Sequence, residues 1–191
     1  MSTQILWFAT RGAGIVSMLL FTAVVVLGVI TTMRWQTDRW PRFLTVELHR
    51  TISLLSVVFL VVHILTAILD PFTNLGLAAA LVPFASSYRP LWVGLGVLSV
   101  YLGVAVLVTS LLRERVGLRL WRAVHWLAYA SWPLALLHTI GSGSDATAPW
   151  MLAVDAICVV PVAVAVAWRL IYARGSNRSV LVSVAEPGRG A

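Results

Sequence analysis

The chain has 191 residues, 60% of them hydrophobic and 11% charged, with a net charge of +7 and a mean hydropathy of +0.91. A water-soluble domain carries about 25% charged residues and could not hide so much apolar surface, so the surplus must face lipid. A single cysteine, Cys158, excludes an internal disulfide, a cysteine-ligated iron–sulfur cluster and a covalent CxxCH attachment.

Five apolar runs follow one another near residues 13–32, 45–69, 91–112, 120–140 and 150–172. Each is about 20 residues or slightly more, enough to cross a ~30 Å hydrocarbon core as a helix. The expected fold is therefore all-α, a bundle of five transmembrane helices. The first run exceeds the apolar stretch of a secretory signal, and no small-residue cleavage site follows it, so it reads as a retained helix. Residues 1–172 form the membrane domain in this reading, and residues 173–191 a cytoplasmic tail expected to be partly disordered. The second connection, residues 70–90, holds the turn signals Asp70-Pro71, Gly76, Pro83 and Pro90 around an apolar stretch too short to span. That stretch is expected at the outer interface, and residues 141–145 as an outer turn. No internal repeat is evident.

All fourteen basic residues are arginines. Twelve fall in the first and third connections, the tail or their flanks, and only Arg11 and Arg89 fall on the opposite side. The positive-inside rule then puts the N-terminus outside and the C-terminus in the cytoplasm, in the manner of a bacterial inner-membrane protein. The arginines alternate with Trp35, Trp40, Trp121 and Trp168, as an interfacial belt requires, which argues against nucleic-acid binding.

Four histidines fall on two of the predicted helices: His49 and His63 on the second, His125 and His138 on the fourth. Ionisable residues at membrane depth are costly and mark function, and imidazole is a common haem ligand. Both helices run from cytoplasm to outside, so His49 is level with His125 and His63 with His138. His49 and His63 differ by only about 40° in helical phase, and Ser53 and Ser56 on that face leave room for flat macrocycles. His125 and His138 are less tidy, about 140° apart on an ideal helix. Pro133 lies between them, and a kink there is the expected correction. Two b-type haems, each bound through two imidazoles and with no open iron position, would form an electron path across the bilayer. Their propionates need cations, for which Arg42, Arg50 and Arg122 are candidates inside, and Arg11 and Arg89 outside.

Histidine pairs with thirteen and twelve intervening residues on two parallel helices resemble the ferric reductase transmembrane domain. That superfamily includes NADPH oxidases, ferric reductases and the haem subunit of bacterial methionine sulfoxide reductase. The resemblance implies an inner haem on His49 and His125 and an outer haem on His63 and His138. Relatives commonly have six helices, and this sequence lacks the first. The flavin and nicotinamide domain of the oxidases is also missing, so a separate flavin reductase or a quinol is the expected donor. Ferric iron or a redox protein is the expected outer acceptor. Two rivals stand beside this oxidoreductase reading: a b561-like quinol oxidoreductase, and a non-redox membrane protein whose histidines bind a metal ion or a proton.

Other signals are weaker. Gly12-Ala-Gly14-Ile-Val-Ser17 half-matches a dinucleotide fingerprint but follows no strand. Gly94, Gly96 and Gly103 suit close helix packing or a position beside a haem. Asp155, the one acid deep in a predicted helix, is expected to pair with Arg11; a proton relay is the alternative.

Overall fold

The computed structural model describes residues 3–33, 37, 40–71 and 75–185, with side chains described as far as Tyr172. Arg34 and Arg39 lie outside the described residues, as do residue 189 and the side chains of Arg174 and Arg178. Among the described residues every regular element is a helix. In chain order these are α1 (Thr3–Thr32), α2 (Arg42–Leu69), α3 (Gly76–Leu81), α4 (Pro90–Leu111), α5 (Arg113–Val116), α6 (Leu118–His125), α7 (Ala128–Ser142) and α8 (Pro149–Ala185).

Four of these helices are long and apolar enough to cross a membrane: α1, α2, α4 and α8. The chain is a multi-pass membrane protein. The run at residues 120–140, expected as one helix, is instead two. α6 ends at His125, Trp126 and Leu127 form a turn, and α7 starts at Ala128. Leu127 N–H bonds the Val124 carbonyl at 2.9 Å, and Tyr129 and Ala130 likewise reach back three residues rather than four. Pro133, the expected cause of a kink, sits exposed inside α7, two turns beyond the break. α8 also runs past the expected boundary at Tyr172 to Ala185.

Helix ends follow local chemistry. At the end of α1, Thr31 and Thr32 donate their hydroxyls to the Gly28 and Val29 carbonyls, each at 2.7 Å, occupying acceptors that the last turn leaves free. Pro41 precedes α2, and Asp70 before Pro71 ends it in extended geometry. Arg89 takes a left-handed conformation, φ 43°, immediately before Pro90 opens α4. Its guanidinium crosses to the Gly141 and Gly143 carbonyls, and the Tyr88 hydroxyl donates to Ser142 O at 3.2 Å, so the start of α4 is tied to the end of α7.

Packing divides into two antiparallel hairpins. α2 lies along α1, and α7 lies along α4, while α2 and α7 share no extensive backbone contact. A small core of Met18, Val25, Trp132, Cys158 and Val162 joins α1 to α7 and α8. There Trp132 Nε1 donates to Thr22 Oγ1 at 3.1 Å. Leu54, Val58, Val61 and Leu65 of α2 are left exposed, the expected state of a surface solvated by acyl chains.

Candidate functional site

In the α1/α2 hairpin, α2 meets α1 at three levels. His63 Nδ1 lies 2.8 Å from the Thr10 carbonyl and His49 Nδ1 lies 3.1 Å from the Val24 carbonyl. Midway, Ser17 and Ser56 exchange hydroxyl-to-carbonyl contacts at 3.5 Å. The three levels step by seven residues along both helices, the spacing of an antiparallel seam.

The α4/α7 hairpin repeats the pattern. His138 Nδ1 lies 2.9 Å from the Trp92 carbonyl, and Ser99 and Ser131 exchange the same reciprocal bonds at 2.9 Å. The repeat is also in the sequence: Gly12-x-Gly14-x-x-Ser17 matches Gly94-x-Gly96-x-x-Ser99, and Ser56-x6-His63 matches Ser131-x6-His138. The expectation of no internal repeat is thus corrected, and the supposed half-fingerprint at Gly12 becomes one copy of a helix-packing motif. Ser56 is also turned toward α1 rather than toward open space.

Glycine makes the imidazole seats. A carbonyl on a helix is shaded by the side chain four residues later, and Gly14, Gly28 and Gly96 stand four residues after Thr10, Val24 and Trp92. A Cβ on Gly14 would lie 2.8 Å from Nδ1 of His63, one on Gly96 2.6 Å from Nδ1 of His138, and one on Gly28 3.5 Å from Cε1 of His49. Only a bare backbone lets the first two rings down onto their carbonyls.

The bond to a carbonyl fixes the tautomer. A carbonyl oxygen only accepts, so Nδ1 carries the proton and Nε2 keeps its lone pair. His49, His63 and His138 therefore each present an unprotonated nitrogen away from their own hairpin. The rings then meet between hairpins in the expected pairs, His49 with His125 at 6.3 Å between ring centres and His63 with His138 at 6.2 Å. A metal about 2.0–2.1 Å from two Nε2 atoms, each about 1.1 Å from its ring centre, gives a separation of roughly 6.3 Å. Bare edge-on ring pairs fall in the same range, but the anchored Nδ1 atoms and the repetition at two levels favour coordination. Among the described residues no three His, Cys, Asp or Glu side chains cluster.

The two pairs are about 21 Å apart along α2. The break at Trp126–Leu127 closes part of the roughly 140° between His125 and His138. Each residue wound three to a turn adds about 20° relative to an α-helix, and the thirteen-residue step falls short of four full turns. Tight winding corrects in the needed direction.

The arginines separate into two groups. Arg42, Arg50 and Arg122 are exposed at the end nearer His49 and His125, and no carboxylate ion pair is formed by them among the described residues. Arg11 is instead committed to Asp145 and Ser144, with its guanidinium 4.6 Å from the Trp7 ring centre. The expected Arg11–Asp155 pair does not form. Asp155 lies farther along α8, buried, with no hydrogen-bond partner for Oδ1 among the described residues. Asp145 is the acid the sequence reading missed; its place in a Gly/Ser turn beside the start of α8 was the available signal. Ser144 and Arg11 hold its carboxyl below the usual carboxylate range, the Ser144 hydrogen bond contributing most.

The chain matches the family described as ferric reductase like transmembrane component over residues 13–140, a span that includes all four histidines. It belongs to that family. The match starts inside α1 and stops within α7, so both hairpins of this ferric reductase-like chain are covered and α8 is not. No curated protein and no solved structure matched it. Membership implies a redox role at a membrane in general terms.

Proposed function

We propose that this chain is the haem-bearing membrane subunit of an electron-transfer system, with two b-type haems held between its hairpins. The observation that carries the reading is the pair of imidazole couples at 6.3 and 6.2 Å, three of whose four rings have Nδ1 seated on a backbone carbonyl. A haem bound through two imidazoles supplies a one-electron carrier with no open position at iron. The rest is done by the chain. Gly14 and Gly96 let the His63 and His138 rings seat, and the carbonyls of Thr10, Val24 and Trp92 orient the three rings. Arg42, Arg50 and Arg122 are placed to balance propionates at the His49/His125 level, whereas Arg11 serves the Asp145 clasp.

In this proposal α6 and α7 together make the fifth crossing, the arginine-rich end faces the cytoplasm, and the N-terminus lies outside. The His49/His125 haem is then the inner one, and the membrane is the inner membrane of a bacterial-type cell. Electrons enter from a separate flavin reductase or a quinol and leave toward ferric iron or a redox protein outside. A b561-like arrangement fits less well, because those histidines are generally spread over more helices.

Purified protein is expected to give two haems per chain in a pyridine haemochrome assay, with a low-spin b-type spectrum. His63→Ala and His138→Ala should each halve the count, and His125→Ala should remove the other haem. NADPH alone should leave both haems oxidised, and added flavin reductase or quinol should reduce them. One haem or none in the wild type would overturn the proposal, as would His63→Ala and His125→Ala removing the same haem.

A further inference from the structure

The repeat fails at one level, and the failure falls on a candidate ligand. Continuing by sevens from Ser99 and Ser131 leads to Val106 and Val124, so His125 stands one residue past the position that mirrors His49. Where the repeat puts Gly28 in α1, α4 has Ser110, and the Val106 carbonyl already accepts from Thr109 Oγ1 at 3.2 Å. His125 Nδ1 is accordingly buried with no hydrogen-bond partner among the described residues. Its ring rests on Trp121, 5.0 Å between centres and 33° between planes. Trp121 is held by Ser110, whose hydroxyl takes the indole N–H at 3.3 Å, and the Arg113 guanidinium lies 4.7 Å from the indole centre.

We infer that His125 is the releasable ligand of the two sites: a ring kept in place by a Trp121 stack instead of a carbonyl bond, making the His49/His125 haem the more weakly held and the one open to small ligands when reduced. The inference rests on the haem-binding reading above. An Nδ1–H bond raises the donor strength of a ligating imidazole and fixes its direction, and loss of such support typically weakens a metal site about 10–100-fold. His49, His63 and His138 have that support. His125 alone lacks it, and stacking on an indole constrains tilt without adding basicity at Nε2. Trp121 is thus a positioning residue.

The test is transfer of haem from the detergent-solubilised, haem-loaded protein to excess apomyoglobin. Wild type should release haem in two equal phases separated by about tenfold or more. His63→Ala and His138→Ala, which keep only the His49/His125 site, should each show the fast phase alone. Dithionite-reduced wild type should take up carbon monoxide at half its haem, and the reduced His63→Ala protein at all that remains. A single release rate in wild type, a slow phase in both variants, or no carbon monoxide uptake by the variant would overturn the inference and leave the two-haem proposal standing. A wild type without two haems would overturn both.

Discussion

Gly12 and Gly14 differ by two positions on α1 and completely in what stands over them. A Cβ on Gly12 meets nothing within 4 Å, whereas one on Gly14 would press on the His63 ring. Gly14→Ala is therefore expected to lower affinity for the His63/His138 haem by about 10–100-fold, and Gly12→Ala to leave both sites intact. Haem titration of the two variants, read in the Soret band, checks this; equal effects would remove the carbonyl seat from the account. The histidines themselves were legible in the sequence, because a titratable ring in a run of Leu and Val has few structural explanations. Their partners were not. A backbone carbonyl has no letter of its own, and only the glycine four residues later betrays it, in a chain with 13 glycines.

Helices α1, α2, α4 and α8 were readable because bilayer thickness dictates their length and composition. The break between α6 and α7 was not, since Trp126-Leu127 contains neither glycine nor proline and the nearby proline drew attention to the wrong place. If winding at Trp126–Leu127 sets the phase of His125, Pro133→Ala should keep both haems. An alanine inserted between Trp126 and Leu127 should cost at least one, because it turns α7 by about 100° relative to α6. A haemochrome count on both variants decides the matter; loss of haem in Pro133→Ala would restore the proline as the cause. The repeat of the two hairpins escaped sequence reading for a related reason. Only the glycines, serines and histidines of each copy are specified, and the residues between are aliphatic side chains that lipid does not distinguish.

At the scale of the molecule, the Arg11–Asp145 pair clasps the start of α1 to the turn before α8. The Asp145 carboxyl is held below its usual pKa, so the clasp contributes fully above the unfolded carboxylate value and fades as pH falls through the folded one. Asp145→Asn should therefore lower the thermal transition in detergent at neutral pH, and the gap from wild type should close below about pH 4. A gap independent of pH would assign the effect to shape rather than charge. The division into two hairpins has a larger consequence. Each hairpin contributes one imidazole to each couple, so under the two-haem proposal each would be a two-pronged clamp and the haems the rivets between them. The covalent connection through residues 70–90 then adds mainly local concentration, on the order of millimolar for a short linker. A chain severed between α2 and α3 and produced as two co-expressed pieces should reassemble and copurify in cells that make haem. In haem-starved cells the same pieces should copurify less well, joined then by the packing of α1 on α7 and α8 and by the Arg11–Asp145 pair.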